Sequence, residues 1–202
     1  KEVGVLGKFL QTFSGQIQHY LTFTIGVQAV MQTKMAIQSL IETTINFERA
    51  ATNATSVAGY LGAAFDKMRE HIMDVSIELG RTTIFTASSA ADAFYNLASA
   101  GWDVGEITKN EMIPILNYAA ATQSELEDAT YAVSTSLKQF NMTMEETSRV
   151  ADVMTATITN TYATAEKLQH GLRYVGAMAG TLGMEFEEVN AALGVLYNRG
   201  LQ

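Results

Sequence analysis

Three histidines and one cluster of carboxylates are the side chains of this 202-residue sequence whose types and spacing could do chemistry. His71 and Asp74 stand three residues apart, so on a helix they share a face at a spacing a metal ion could use. Glu185, Glu187 and Glu188 could supply the paired acids of glycoside cleavage. Neither group is complete. His71 has no second histidine near it, His19 and His170 are isolated, and there is no cysteine, so an ordinary surface pair is the simpler reading. The three glutamates stand at a helix start, where negative charge complements the helix dipole. The sequence has no phosphate-binding Gly-rich loop, no GxSxG and no HExxH. The absence of cysteine excludes disulfides and thiol chemistry and leaves the redox compartment open. No catalytic, cofactor-binding or metal site is expected.

The elements that would carry these residues are helices. Pro114 is the only proline, and alternating strand patterns are scarce. A helix is predicted from about Leu61 to Leu79, ending at Gly80 in the left-handed conformation. Thr86 is the next N-cap, with its helix ending at Ala100 and Gly101. Ser124–Glu127 and Thr143–Glu146 read as capping boxes. Behind the first, Leu126, Ala129, Val133, Leu137 and Phe140 recur at helical spacing. Thr164 caps a helix running to Gly183, and a last one runs from Phe186 to Arg199 behind Glu185, a poor cap expected to fray. Pro114 is placed in the first turn of its helix, where it costs least.

The turns at Gly101, Asn141 and Gly183 lie 40 and 42 residues apart, and the caps Thr86, Ser124 and Thr164 lie 38 and 40 apart. This rhythm predicts an all-α fold in which residues 59–202 form about three tandem helix-turn-helix pairs. Neighbouring pairs must stack, because each apolar stripe is too narrow to be stable alone. Trp102, Leu137, Phe140 and Leu182 are the expected packing anchors. Gly176 and Gly180 form a GxxxG, which Lys167 and Arg173 take out of any membrane setting, so close soluble helix packing is expected. The ten methionines read as adaptable core filler.

Residues 1–58 differ. From Phe9 to Thr33 there is no charged side chain, yet Gln, Thr, Ser and Gly interrupt any apolar run long enough to span a membrane. A 3,4-spaced seam through Leu10, Phe13, Ile17, Tyr20, Thr24, Val27, Met31, Lys34, Gln38, Ile41 and Ile45, eight of the eleven apolar, predicts a long N-terminal helical arm that associates along its length. Leu10, Phe13, Ile17, Val27 and Met31 are the residues expected to face partner copies. A helix from Leu10 to Ile45 would be roughly 54 Å long. The charge sits elsewhere: from Phe47 onward there are ten basic and nineteen acidic residues, a formal charge of −9. Such a surface repels phosphate, so no specific nucleic-acid binding is expected.

The stretch ELGRTTIFTASSAADAFYNLASAGW, Glu78 to Trp102, resembles the core segment of phage tail tape-measure proteins, whose pattern runs ELG, T, FSA, AADAM, LA-x-AG-W. Here Thr86 stands for the usual Ser and Ser89 for a frequent Glu. Ile115–Asn117 with Ala119–Ala121, Val150–Val153, Tyr174–Ala179, Leu182–Gly183 and Glu187–Glu188 continue the resemblance in order, from about Phe47 to the last residue.

The resemblance implies a structural virion protein, part of a longer chain, that sets tail length during tube polymerisation and leaves ahead of the DNA. It implies as partners other copies of itself, a trimer among the arrangements, together with tail-tube and tail-tip or baseplate proteins and tail assembly chaperones. It implies a place in the tail lumen or tip, with the host membrane reached after ejection. The alternative is a membrane-active component forming a channel for DNA, any enzymatic activity lying in other parts of the chain. A cellular helical scaffold is a third reading.

Overall fold

The computed structural model describes residues 43–200. Among them every regular element is helical: α1 (residues 43–57), α2 (Ala63–Thr82), α3 (Ala87–Ser99), α4 (Lys109–Thr122), α5 (Leu126–Gln139), α6 (Thr147–Asn160) behind a 3-10 turn (Met144–Glu146), α7 (Ala165–Thr181) and α8 (Phe186–Asn198). The protein is all-α. The arm residues Leu10, Phe13, Ile17, Val27 and Met31 lie outside the described residues.

Most helix starts are set by local chemistry. The Thr86 hydroxyl accepts from the Ser89 amide at 3.1 Å and the Thr164 hydroxyl from the Lys167 amide at 3.2 Å. Glu146 accepts from the Thr143 amide at 3.2 Å. At α4, Glu111 accepts from the Thr108 amide at 2.8 Å, a capping box whose T-x-x-E pattern also stands in the sequence.

Four helix ends share one geometry. Gly101, Gln123, Asn141 and Gly183 have φ of 77°, 53°, 54° and 75°. The next residue's amide reaches back to the carbonyl five positions earlier: Trp102 to Leu97, Ser124 to Ala119, Met142 to Leu137 and Met184 to Ala179, at 2.8–3.0 Å. This bond satisfies a carbonyl that the helix end would otherwise leave unpaired. Gln123 carries no local signal for that conformation.

Four expectations are corrected. Gly80 is inside α2, not beyond its end; a side chain there would bring a Cβ within 2.8 Å of the Ala87 backbone nitrogen, so glycine serves the crossing of α3. The helix ends where the Thr82 and Thr83 hydroxyls donate back to the Glu78 and Leu79 carbonyls. Ser124 does not cap α5, because its hydroxyl is engaged by Thr122 at 2.8 Å and Glu125 takes the N-cap position. Pro114 lies in the second turn of α4, since the helix already begins at Lys109; the Asn110 carbonyl loses its donor at an exposed position. Leu182 is 72% exposed at the C-cap of α7, on the side away from the described core.

Packing builds two rows. The contacts α3–α5–α7 form one row and α2–α4–α6–α8 the other, and α5 touches α3, α4, α6 and α7. Consecutive helices α3 and α4 pack on α5 rather than on each other. The core is alanine-rich, with Phe94, Met112, Ile115, Leu137, Met154 and Phe186 as its larger fully buried side chains. Leu137 is completely buried, while Phe140 sits at the core edge with its ring edge-on to Phe186 at 5.1 Å. The GxxxG of α7 receives the end of α5: a Cβ at Gly176 would overlap the Gln139 side chain, and one at Gly180 the Gln139 carbonyl oxygen.

Gly180→Ala should therefore lower the unfolding free energy by about 1–3 kcal/mol, as overpacking against backbone does. The exposed Ala177→Gly should cost only the helix propensity, about 1 kcal/mol. Urea unfolding of both variants checks this; a Gly180→Ala protein as stable as its parent would contradict the contact.

Candidate functional site

Among the described residues, His71 and the glutamates at the α8 start are engaged in structural contacts. The His71 ring nitrogen Nε2 lies 2.9 Å from the Ile107 carbonyl, so this histidine ties α2 to the loop that precedes α4. Asp74 is exposed one turn away. Among the described residues, no group of three or more His, Asp or Glu side chains is close enough to hold a metal ion.

The glutamates near the start of α8 gather around Arg149 of α6. Its Nε donates to Glu187 at 2.7 Å and its Nη2 to the other Glu187 oxygen at 2.8 Å, a two-pronged pair. Nη1 reaches Glu146 at 3.1 Å and Nη2 reaches Glu185 at 3.5 Å. The hydrogen bond from Arg149 holds the Glu187 carboxyl below its ordinary range, and Glu187 in turn raises the arginine. A glycosidase acid needs the opposite shift. Glu188 accepts from the Glu185 amide at 3.4 Å and completes a capping box at the α8 start. The fraying expected of a glutamate cap is thus opposed by a reciprocal bond and by the ion pairs. Arg149 escapes sequence reading because its main partner is 38 residues away.

A second joint surrounds Trp102. Lys138 of α5 donates to the Ala100 carbonyl at the end of α3, and its ammonium lies 5.0 Å from the centre of the Trp102 ring. This places a cation at the negative end of the α3 dipole and over an aromatic face. Trp102 is half-buried against the core, and its indole N–H finds no acceptor among the described residues. Tyr60 donates to Asp103 at 2.8 Å and Lys109 pairs with Glu78 at 2.6 Å, so the long α3–α4 connection is held on both flanks.

Several grooves cross the surface of the described residues. One, of about 430 Å³, is lined by Glu125, Asp128, Glu166 and Gln169; another, of about 370 Å³, lies between α4 and α6 beside Pro114 and Asp152. Tyr118 borders both, but its hydroxyl is buried without a partner, and burial pushes it up to about 12, out of reach as a base at neutral pH. Among the described residues no helix is long and apolar enough to cross a membrane.

What remains at the surface is an apolar face on α7 and α8. Tyr174 is 71% exposed, Met178 68% and Val195 57%. Among the described residues, seven of the fifteen exposed large hydrophobic side chains fall between Tyr174 and Leu196, so the exposure is concentrated at one end of the two rows.

Comparison with known proteins follows the same lines. The family model described as phage-related minor tail protein matches residues 73–202. The chain is 28% identical over 156 residues to a tape measure protein of Pneumococcus phage Dp-1, a stretch covering 77% of this chain and 13% of that protein. It is 27% identical over 121 residues to a probable tape measure protein of Escherichia phage P2, covering 60% of this chain and 15% of that protein. The chain thus spans a small fraction of the length of these relatives. No solved structure matches it.

The ion-pair cluster gives a pH signature. Because the folded-state pKa of Glu187 is lowered from its ordinary 4.5, its stabilisation is complete above that value and is lost as pH falls through the lowered one. Arg149→Gln should cost about 1 kcal/mol or less at neutral pH, as exposed pairs do. The difference from the parent should shrink toward zero in acid. Unfolding titrations of both proteins from neutral pH to pH 2 test this; a gap that stays constant into acid would rule out the carboxylate as its source.

Proposed function

The chain belongs to the phage-related minor tail protein family, and from that membership we propose that it is a segment of a tape-measure protein, held in the tail and acting through length and packing rather than bond chemistry. The observation that carries this reading is the two-row packing of helices, α3–α5–α7 beside α2–α4–α6–α8. The likeness to two tape-measure relatives supports it. The carboxylates engaged in caps and ion pairs are consistent with a structural role.

In this reading the segment lies in the tail lumen or at the tip, in contact with tail-tube and tip proteins and delivered by tail assembly chaperones. Its array axis follows the tail. Residues from Phe47 onward, with a formal charge of −9, repel the phosphate backbone, so the protein does not adhere to the DNA that shares its tube and can leave ahead of it. The uncharged arm from Phe9 to Thr33 associates with other copies through Leu10, Phe13, Ile17, Val27 and Met31, which removes its apolar seam from water while its Gln and Thr side chains pair across the contact.

The experiment is an in-frame duplication of residues 83–200 in the phage gene. Three further layers at the usual 8–10 Å helix spacing should lengthen the tail by about 30 Å. The same residues drawn out as one helix would add about 180 Å. Tail lengths measured by electron microscopy distinguish the two, and an unchanged length would remove the ruler role from this segment.

A further inference from the structure

We infer that the exposed face of α7 and α8 is the seat of the next helix pair of the same two-row array, supplied in cis by polypeptide following residue 202. The inference rests on the reading of the chain as a segment of a longer tape-measure protein.

The geometry of α7 gives the direction. Gly176 and Gly180 face Gln139 of α5. Met178 lies two residues from each, about 200° round the helix, so it points away from α5. Tyr174 and Leu182 stand four residues on either side of Met178 and complete a stripe along that outer side. These three are 68–72% exposed. In α8, Gly194 faces Thr157 of α6 and Thr161 just beyond its end. Leu196, two residues on, is turned away from α6 and is 46% exposed. Both rows therefore end on apolar side chains at the same end.

The contrast with α5 shows what is missing. Eight of the fourteen residues of α5 are buried, because it has a row neighbour on each side. Only four of the seventeen residues of α7 are buried, all of them on the side that a single row neighbour and α8 can cover. A helical array that ends in water needs a polar outer face on its last layer. The second half of α7 lacks one: from Tyr174 to Met184 there is no charged side chain. An uncharged apolar stripe at helical spacing fits another such stripe.

A continuation of the chain fits this face better than a second copy. The relatives are far longer than this chain, which covers 13% and 15% of them. A second copy would bring a net charge of −8 against an equal charge.

The test is oxidative labelling of the full-length protein, read by mass spectrometry at single residues. Met154, completely buried, and Tyr162, 78% exposed, are references within the same molecule. Met178 and Tyr174 should lose their labelling and fall to the level of Met154, at every protein concentration, and Leu182→Glu should restore labelling at Met178 while Met154 stays protected. Labelling of Met178 at the exposed level would overturn the inference and leave the tape-measure reading standing. Protection that disappears on dilution would assign the face to a second copy and also overturn it. A full-length product no longer than the 202 residues would remove both the inference and the tape-measure reading.

Discussion

Helix α5 touches α3, α4, α6 and α7, and the narrowness of its side chains is what lets four helices reach it. Its buried positions hold Leu126, Ala129, Thr130, Ala132, Val133, Ser134, Ser136 and Leu137, so five of the eight are Ala, Ser or Thr. Small side chains bring helix axes to the short end of the usual spacing. Buried hydroxyls would ordinarily be a liability. Here the Thr130 hydroxyl donates to the Leu126 carbonyl at 2.7 Å and the Ser136 hydroxyl to Ala132 at 2.8 Å, so each is satisfied inside its own helix and asks nothing of its neighbours. The end of α5 is then fixed twice. Gln139 enters the GxxxG of α7, and Lys138 closes the end of α3.

The rest of the array follows from repeating one helix end. The left-handed residue at Gly101, Gln123, Asn141 and Gly183, with its five-back amide bond, turns the chain after α3, α4, α5 and α7. After α6 the chain instead leaves through extended Thr161, with Asn198 of α8 accepting from the Tyr162 amide at 2.8 Å. The second row needs a further tie at its far end, and the Arg149 cluster between α6 and α8 supplies it. Exposed ion pairs contribute little each; their use here is to fix the position of the α8 start.

A structure made in this way suits a part that bears length. Many of its polar groups are engaged in caps, turns and inter-helix joints. Among the described residues, the end of the two rows keeps an exposed apolar face.

Much of this was legible in the residues themselves. The caps at Thr86 and Thr164 and the left-handed turns at Gly101, Asn141 and Gly183 could be read because hydroxyl capping and left-handed backbone are choices made within four or five residues. The ordered run of segments from Glu78 to Glu188 was enough to suggest the family, and the glutamate cluster could be read as structural from its place at a helix start. Other features needed the fold. Gly80 resembles a helix end until α3 crosses it, and Ser124 resembles a cap until Thr122 takes its hydroxyl. Pro114 found its place only when Thr108 and Glu111 had fixed the helix start. Leu182 continues the spacing of a buried stripe, yet stands in water because no described helix lies beyond it. Arg149 and Glu187 meet across 38 residues, and the pairing of α3 and α4 with α5 in preference to each other is decided by which apolar stripes fit. Sequence determined what each helix is, since hydrogen bonding at its ends is local; only the tertiary structure decided which helices meet, since burial of apolar surface depends on distance in space and not on distance along the chain.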